Sequence, residues 1–236
     1  MCWSLGASLV MAGAGTAATG YLIAKGKPVT LWAPMGFFTA MELLQAASYP
    51  VVDQCGAPLN AALTWVSFLH ISLHPLAFSL IYLAFLPEDF AARIKWPVIG
   101  VSLLAAVATW SMVYPFAGSG VCDPARMMCG ERVCTYMGDF HLAWQFPFNG
   151  YGNSFRDSWL LWIARDGLIA YQLVVFWVPL IYGAWRLSLY FLLTGPVLAR
   201  WLTDNVDEQP AVWCLLSVAL LIAILTPTLR RFLTVQ

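Results

Sequence analysis

The chain has 236 residues, 61% of them hydrophobic and only 10% charged, and its formal net charge is zero. A soluble domain carries about 25% charged residues, so this composition belongs to a membrane protein and leaves no polar segment long enough for a separate soluble domain. A neutral chain offers nucleic acid no basic surface, and the absence of a Gly-rich phosphate loop leaves nothing that points to direct use of ATP.

Seven segments approach the roughly 20 apolar residues that a membrane span needs. The first, Ser4–Ala24, has no Lys or Arg before it. A signal peptide normally does, so it reads as an uncleaved span. The second, Val29–Tyr49, carries Glu42 about 10 Å from one end, with Gln45 on the same face. The third, Ala61–Leu86, carries His70 and His74. Residues at i and i+4 share a helical face. Pro75 follows and removes one backbone hydrogen bond there. The fourth is Pro97–Ala117.

Residues 118–157 form a loop that holds Cys122, Cys129, Cys134, Asp139 and His141. It is too polar to span and too aromatic to float in water, so it is expected to dip back between the helices as a cap. Irregular backbone at that depth is tolerated only when buried in protein or lining water. The fifth segment, Ser158–Trp185, carries Arg165 and Asp166. The sixth, Leu187–Thr203, is short and reads as kinked at Thr194–Pro196. The seventh, Ala211–Leu229, has Cys214 near its start. The fold class is therefore an all-α polytopic membrane protein, a single domain over residues 1–236. Its span count is seven, or six if the fifth and sixth segments join across Arg186.

With seven spans the loops sort by charge. One side holds Lys25, Lys27, Arg93, Lys95, Arg186, Arg230 and Arg231, against Glu88 and Asp89. The other side holds most of the acidic residues, including Asp204–Glu208. Positive loops stay cytoplasmic, so the N-terminus is expected outside and the C-terminus inside, in a plasma membrane such as the inner membrane of a bacterium. Cys2, Cys55, Cys122, Cys129, Cys134 and Cys214 all then fall on or near the outer face. Disulfides persist there, although six cysteines allow 15 pairings and sequence does not choose among them. The gaps of six and four residues in the Cys122–Cys134 run are not a zinc CxxC pattern.

The intramembrane polar groups point to a site. A charge inside a membrane costs at least about 2.5–3.5 kcal/mol, so a chain that keeps one usually needs it. Glu42, His70, His74 and His141 are the expected ligand set, with Gln45, Asp139 and Asp166 behind them. One carboxylate with two or three imidazoles suits a transition metal ion, zinc or iron first, and haem is the lesser alternative. Glu42 would ligate the metal or act as general base on a metal-bound water, on a lipid-like or periplasmic substrate. Whether the protein is an enzyme stays open. The rival reading is a proton-coupled transporter or channel with Glu42 as the protonatable group. A third is a non-catalytic subunit of a membrane complex. The expected partners are membrane lipids, with another membrane protein or a second copy beside them. The bland alternative for the histidines is hydrogen-bond glue between helices.

Three short motifs, "MCWS" at residues 1–4, "MELLQ" at 41–45 and "FHLAW" at 140–144, resemble an uncharacterised family of small multi-pass membrane proteins found in bacteria and some large viruses. The resemblance implies a fold and supplies no activity.

Overall fold

A computed structural model describes residues 5–155 and 168–235. Cys2, Arg165 and Asp166 lie outside the described residues. The chain is mostly helical, and its core runs between the helices and under a small capping structure.

Helices α1 (Leu5–Ala24) and α2 (Val29–Ser48) form a hairpin through a short turn where Gly26 takes φ +62°. They approach closely at Gly15, where a Cβ would run into the Thr39 side chain. Small residues at a helix contact are how membrane helices pack without help from water. The third segment is broken in two, α3 (Pro58–Ser72) and α4 (His74–Ala84), at Leu73. Pro75 sits in the first turn of α4, where its missing N–H leaves no bond unmade. The histidines therefore flank a helix break rather than a continuous helix.

Helix α5 runs Glu88–Ser111, starting nine residues before the expected Pro97 and ending before Ala117. Glu88 and Asp89 occupy its first turn, where acidic groups suit the helix dipole. Helices α6 (Ile169–Gln172) and α7 (Val178–Ile181) are joined by a π-helical stretch, Leu173–Trp177. A turn with Gly183 at φ +82° separates them from α8 (Trp185–Leu192), so the fifth and sixth segments are two helices. The expected kink at Thr194–Pro196 is a second π-helical stretch, Leu193–Val197, leading into α9 (Leu198–Leu202). The last segment is α10 (Gln209–Ile224) and α11 (Pro227–Leu233), bent 97° from each other.

Among the described residues three helices are long and apolar enough to cross a membrane: Leu5–Ala24, Pro58–Ala84 and Glu88–Ser111. The bent α10–α11 pair makes a fourth if it counts as one span. Seven is not reached on length and apolarity, because Glu42, Gln45 and two threonines dilute α2 and because the later segments are short or interrupted. The windows in α1 and α5 are 22% buried against 67% for α3–α4, so α3–α4 is the central element and the other two present apolar faces outward.

The chain is mostly helical as expected, with one local exception among the described residues. Residues Cys134–Met137 (β1) and Leu142–Gln145 (β2) form an antiparallel hairpin, with Thr135 opposite Trp144. The expected cap is thus a two-stranded ribbon whose backbone pairs internally, which is one way to bury irregular chain. Asn60 of α3 clamps it, donating to Val51 O and Thr135 O and accepting from the Thr135 N–H. Cys55 pairs with Cys134, and Cys122 with Cys129. Cys214 is free and buried.

Candidate functional site

The cap is held by two neighbouring carboxylates just before α10. Glu208 is fully buried and accepts from the backbone N–H groups of Asp139, Phe140 and His141 and from the Thr203 hydroxyl. Gly138 makes this approach possible, because a Cβ there would sit 2.7 Å from the Glu208 carboxyl carbon. Asp207 accepts from the Met128 N–H, the Tyr136 hydroxyl and the Gln145 amide. Burial pushes the Asp207 carboxyl up, against the pull of those three bonds. Met128 is held there at φ +60°, a strained position for a side chain of its size that persists because its neighbours determine it.

The clamped turn delivers His141 into the helices. Its Nε2 meets Gln45 Oε1 and its Nδ1 lies 2.7 Å from the Tyr49 hydroxyl. With the amide oxygen as acceptor, the ring carries its proton on Nε2 and accepts from Tyr49. Burial pushes His141 down to about 4. Asp139 is exposed and joins this network only through its backbone N–H.

Glu42 lies one turn from Gln45 on α2. It is fully buried, and among the described residues neither carboxylate oxygen has a hydrogen-bond partner. Ser8 of α1 faces it without reaching hydrogen-bond geometry, and Cys214 of α10 lies within its electrostatic reach. His70 stacks on Phe37 at 3.8 Å between ring centres. His74 sits against Phe38 and 3.2 Å from the Tyr171 hydroxyl. The two imidazole centres are 5.4 Å apart, and Nε2 of each is buried without a partner among the described residues. The expected four-ligand cluster is therefore divided. Glu42 is paired with neither His70 nor His74, and His141 is engaged by Gln45 and Tyr49. Among the described residues no three His, Cys, Asp or Glu side chains are placed to hold one metal ion.

Beside His74 lies a cavity of about 50 Å³. Ile71, His74, Tyr171, Gln172, Trp213 and Cys214 form its walls, and Met127 and Met128 of the disulfide loop lie over it. His74, Gln172 and Trp213 each carry a polar atom without a partner among the described residues: Nε2, Oε1 and Nε1. Both π-helical stretches border it, through Phe176 and Pro196. π-Bulges are rare and concentrate at functional sites. The π register also changes what the carbonyls meet. Val175 O accepts from the Tyr82 hydroxyl at 2.9 Å, and Phe176 O from the Ser188 hydroxyl at 2.6 Å. Cys214 borders the cavity and lies within electrostatic range of Glu42, which itself is not among the cavity's lining residues.

Asp207, Glu208, Tyr171, Gln172 and Trp213 were not singled out from sequence. The two carboxylates stand in an acidic run that reads only as loop charge. Tyr171–Gln172 was detectable as a polar pair inside an apolar stretch. A family model described as a family of unknown function (DUF5765) matches residues 6–234. No curated protein and no solved structure matches the chain.

Proposed function

We propose, on the premise that the chain belongs to the family of unknown function DUF5765, that it is a multi-pass membrane protein that moves a proton together with a small solute. Glu42 takes and releases the proton, and the solute sits in the neighbouring cavity. The observation that carries this reading is the carboxylate itself, buried with neither oxygen partnered. Such a group costs at least about 2.5–3.5 kcal/mol in a membrane. The cost falls when a proton or cation joins it, so the position suits exchange better than it suits helix glue. The cavity is small. One water needs roughly 10–15 Å³ by this measure, so a solute of a few heavy atoms is the class that fits.

Two further observations support the reading. Interrupted helices build the substrate and coupling-ion sites of many transporters, and two π-helical stretches border the cavity. Tyr82 and Ser188 carry polar groups onward from it along the first of these stretches. In this reading the seven helical segments cross with the N-terminus outside and the C-terminus inside. Support comes from the gathering of Lys27, Arg186, Arg230 and Arg231 around α11.

The test is reconstitution into liposomes holding a pH-sensitive dye. A panel of small polar solutes is expected to include one that drives proton flux, and Glu42→Gln abolishes that flux while the protein stays inserted and folded. Full flux in Glu42→Gln rejects the role.

A second reading is a metal ion held by His70 and His74, favoured by their two unpartnered Nε2 atoms. It lacks a third protein ligand among the described residues. Stoichiometric metal in protein purified without chelator, lost in His70→Ala, would put it ahead. Haem fits less well, because a cofactor of that size needs a pocket of roughly 300 Å³ or more and the cavity at His74 is about 50 Å³.

A further inference from the structure

At the far end of the bundle from the cap, α10 stops at Ile224 and the chain turns 97° into α11. Helix α11 therefore runs across the end of the bundle. It buries Leu233 and leaves Arg231 and Phe232 outward, the pattern of a helix lying in a membrane interface. Cation–ring pairs mark the same level. Lys25 lies over Tyr21, Arg230 over Phe85, and Arg186 over both Trp185 and Phe232. Aromatic and basic side chains gather at the boundary between hydrocarbon and water.

A pocket of about 430 Å³ opens there between the end of α1 and α11. Tyr21, Lys27, Leu225, Arg230, Arg231 and Thr234 line it, and no acidic residue does. Three cations from two separate parts of the chain thus share one concave site. Among the described residues none of them has a carboxylate partner. Like charges held together around a cleft focus a positive potential, and an anion relieves their repulsion. Arg230 is the fixed member, braced on Phe85, while Lys27 and Arg231 are exposed.

We propose that this pocket binds the phosphate headgroup of an anionic membrane lipid. The site adjoins the outward apolar face of α1, where Val10 and Ile23 are 70% and 53% exposed and offer a track for acyl chains. A free phosphate would use the cations and leave that track without a role. Guanidinium groups pair with phosphate oxygens two at a time, and Tyr21 brings a hydroxyl to the same pocket.

The test uses the full-length protein in mild detergent. Short-chain phosphatidylglycerol, phosphatidylcholine and inorganic phosphate are titrated separately, and thermal stability is read. Phosphatidylglycerol is expected to give a saturable rise in melting temperature, with little from the other two at equal concentration. Each charge near a membrane surface is worth roughly fivefold in affinity. Lys27→Gln alone is expected to weaken the response about fivefold, and Lys27→Gln with Arg231→Gln more than tenfold. Arg230 is left in place so that its packing on Phe85 survives. An equal rise with phosphatidylcholine, or an undiminished response in the double variant, overturns the site. A rise with inorganic phosphate matching that with phosphatidylglycerol overturns the lipid assignment.

Discussion

At the scale of single residues, the two acidic groups in the middle of the molecule have opposite designs. Glu208 is buried and completely satisfied, while Glu42 is buried and unsatisfied. Glu208→Ala leaves three backbone donors and a hydroxyl without an acceptor. It is expected to cost at least about 3 kcal/mol, since each orphaned buried donor costs roughly 1–3, and thermal unfolding in detergent measures it. A loss below about 0.5 kcal/mol would mean that the cap does not depend on this clamp. His141 adds a pH dependence. Burial holds it near 4 in the folded protein, below the roughly 6.5 of an unfolded histidine. As pH falls below about 6.5 the unfolded chain takes up a proton that the folded one refuses, so stability declines until pH reaches about 4 and is flat above 6.5. The wild-type melting curve minus that of His141→Gln is expected to show this slope, and a flat difference would contradict it. Glu42, Gln45 and His141 were all legible as polar residues in apolar surroundings. Their partners were not, because a contact such as Gln45 to His141, 96 residues apart, carries no local signal.

Elements show the same division between what a periodic pattern carries and what tertiary contact decides. The long apolar runs of α1, α3–α4 and α5 are plain in the sequence, although Pro97 misleads as a start when it lies inside α5. The hairpin was missed because its strands are only four residues each and sit in a loop whose polarity dominates. Its disulfides make a test. Chain-entropy arguments give about 4 kcal/mol for Cys55–Cys134, which closes 79 residues, and about 2 for Cys122–Cys129, which closes 7. Non-reducing peptide mass spectrometry is expected to find those two pairs and a free Cys214 thiol. Reduction should release the cap to protease before the helices, whereas simultaneous loss of both would show that cap and bundle unfold as one unit. The π-helical stretches were foreshadowed only by Gly195–Pro196. A Cβ at Gly195 would enter the Trp213 indole, so Gly195→Ala is expected to shift the emission of Trp213, isolated by subtracting the same variant made in Trp213→Phe. Unchanged emission would mean that this close approach is absent.

For the whole molecule, the arrangement is a helical bundle closed at one end by a stapled, carboxylate-clamped cap and carrying a transverse helix with a basic pocket at the other. Between them lie a small cavity walled by His74, Tyr171 and Cys214 and the buried carboxylate of Glu42. Composition alone pointed to apolar helices long enough to cross a membrane, which three of the described helices are, and loop charge suggested an orientation. How many segments cross was not legible, since a span interrupted by a π-helical stretch has neither the length nor the continuity that a hydropathy window rewards. The account depends most on Glu42 exchanging a proton with the medium, and infrared difference spectroscopy of the lipid-reconstituted protein between acidic and alkaline medium tests that without knowing the solute. It predicts a protonated-carboxyl carbonyl band that appears on acidification, disappears on return to alkaline medium and is missing in Glu42→Gln. A full-strength band in Glu42→Gln, or no pH-dependent band assignable to Glu42, would contradict it.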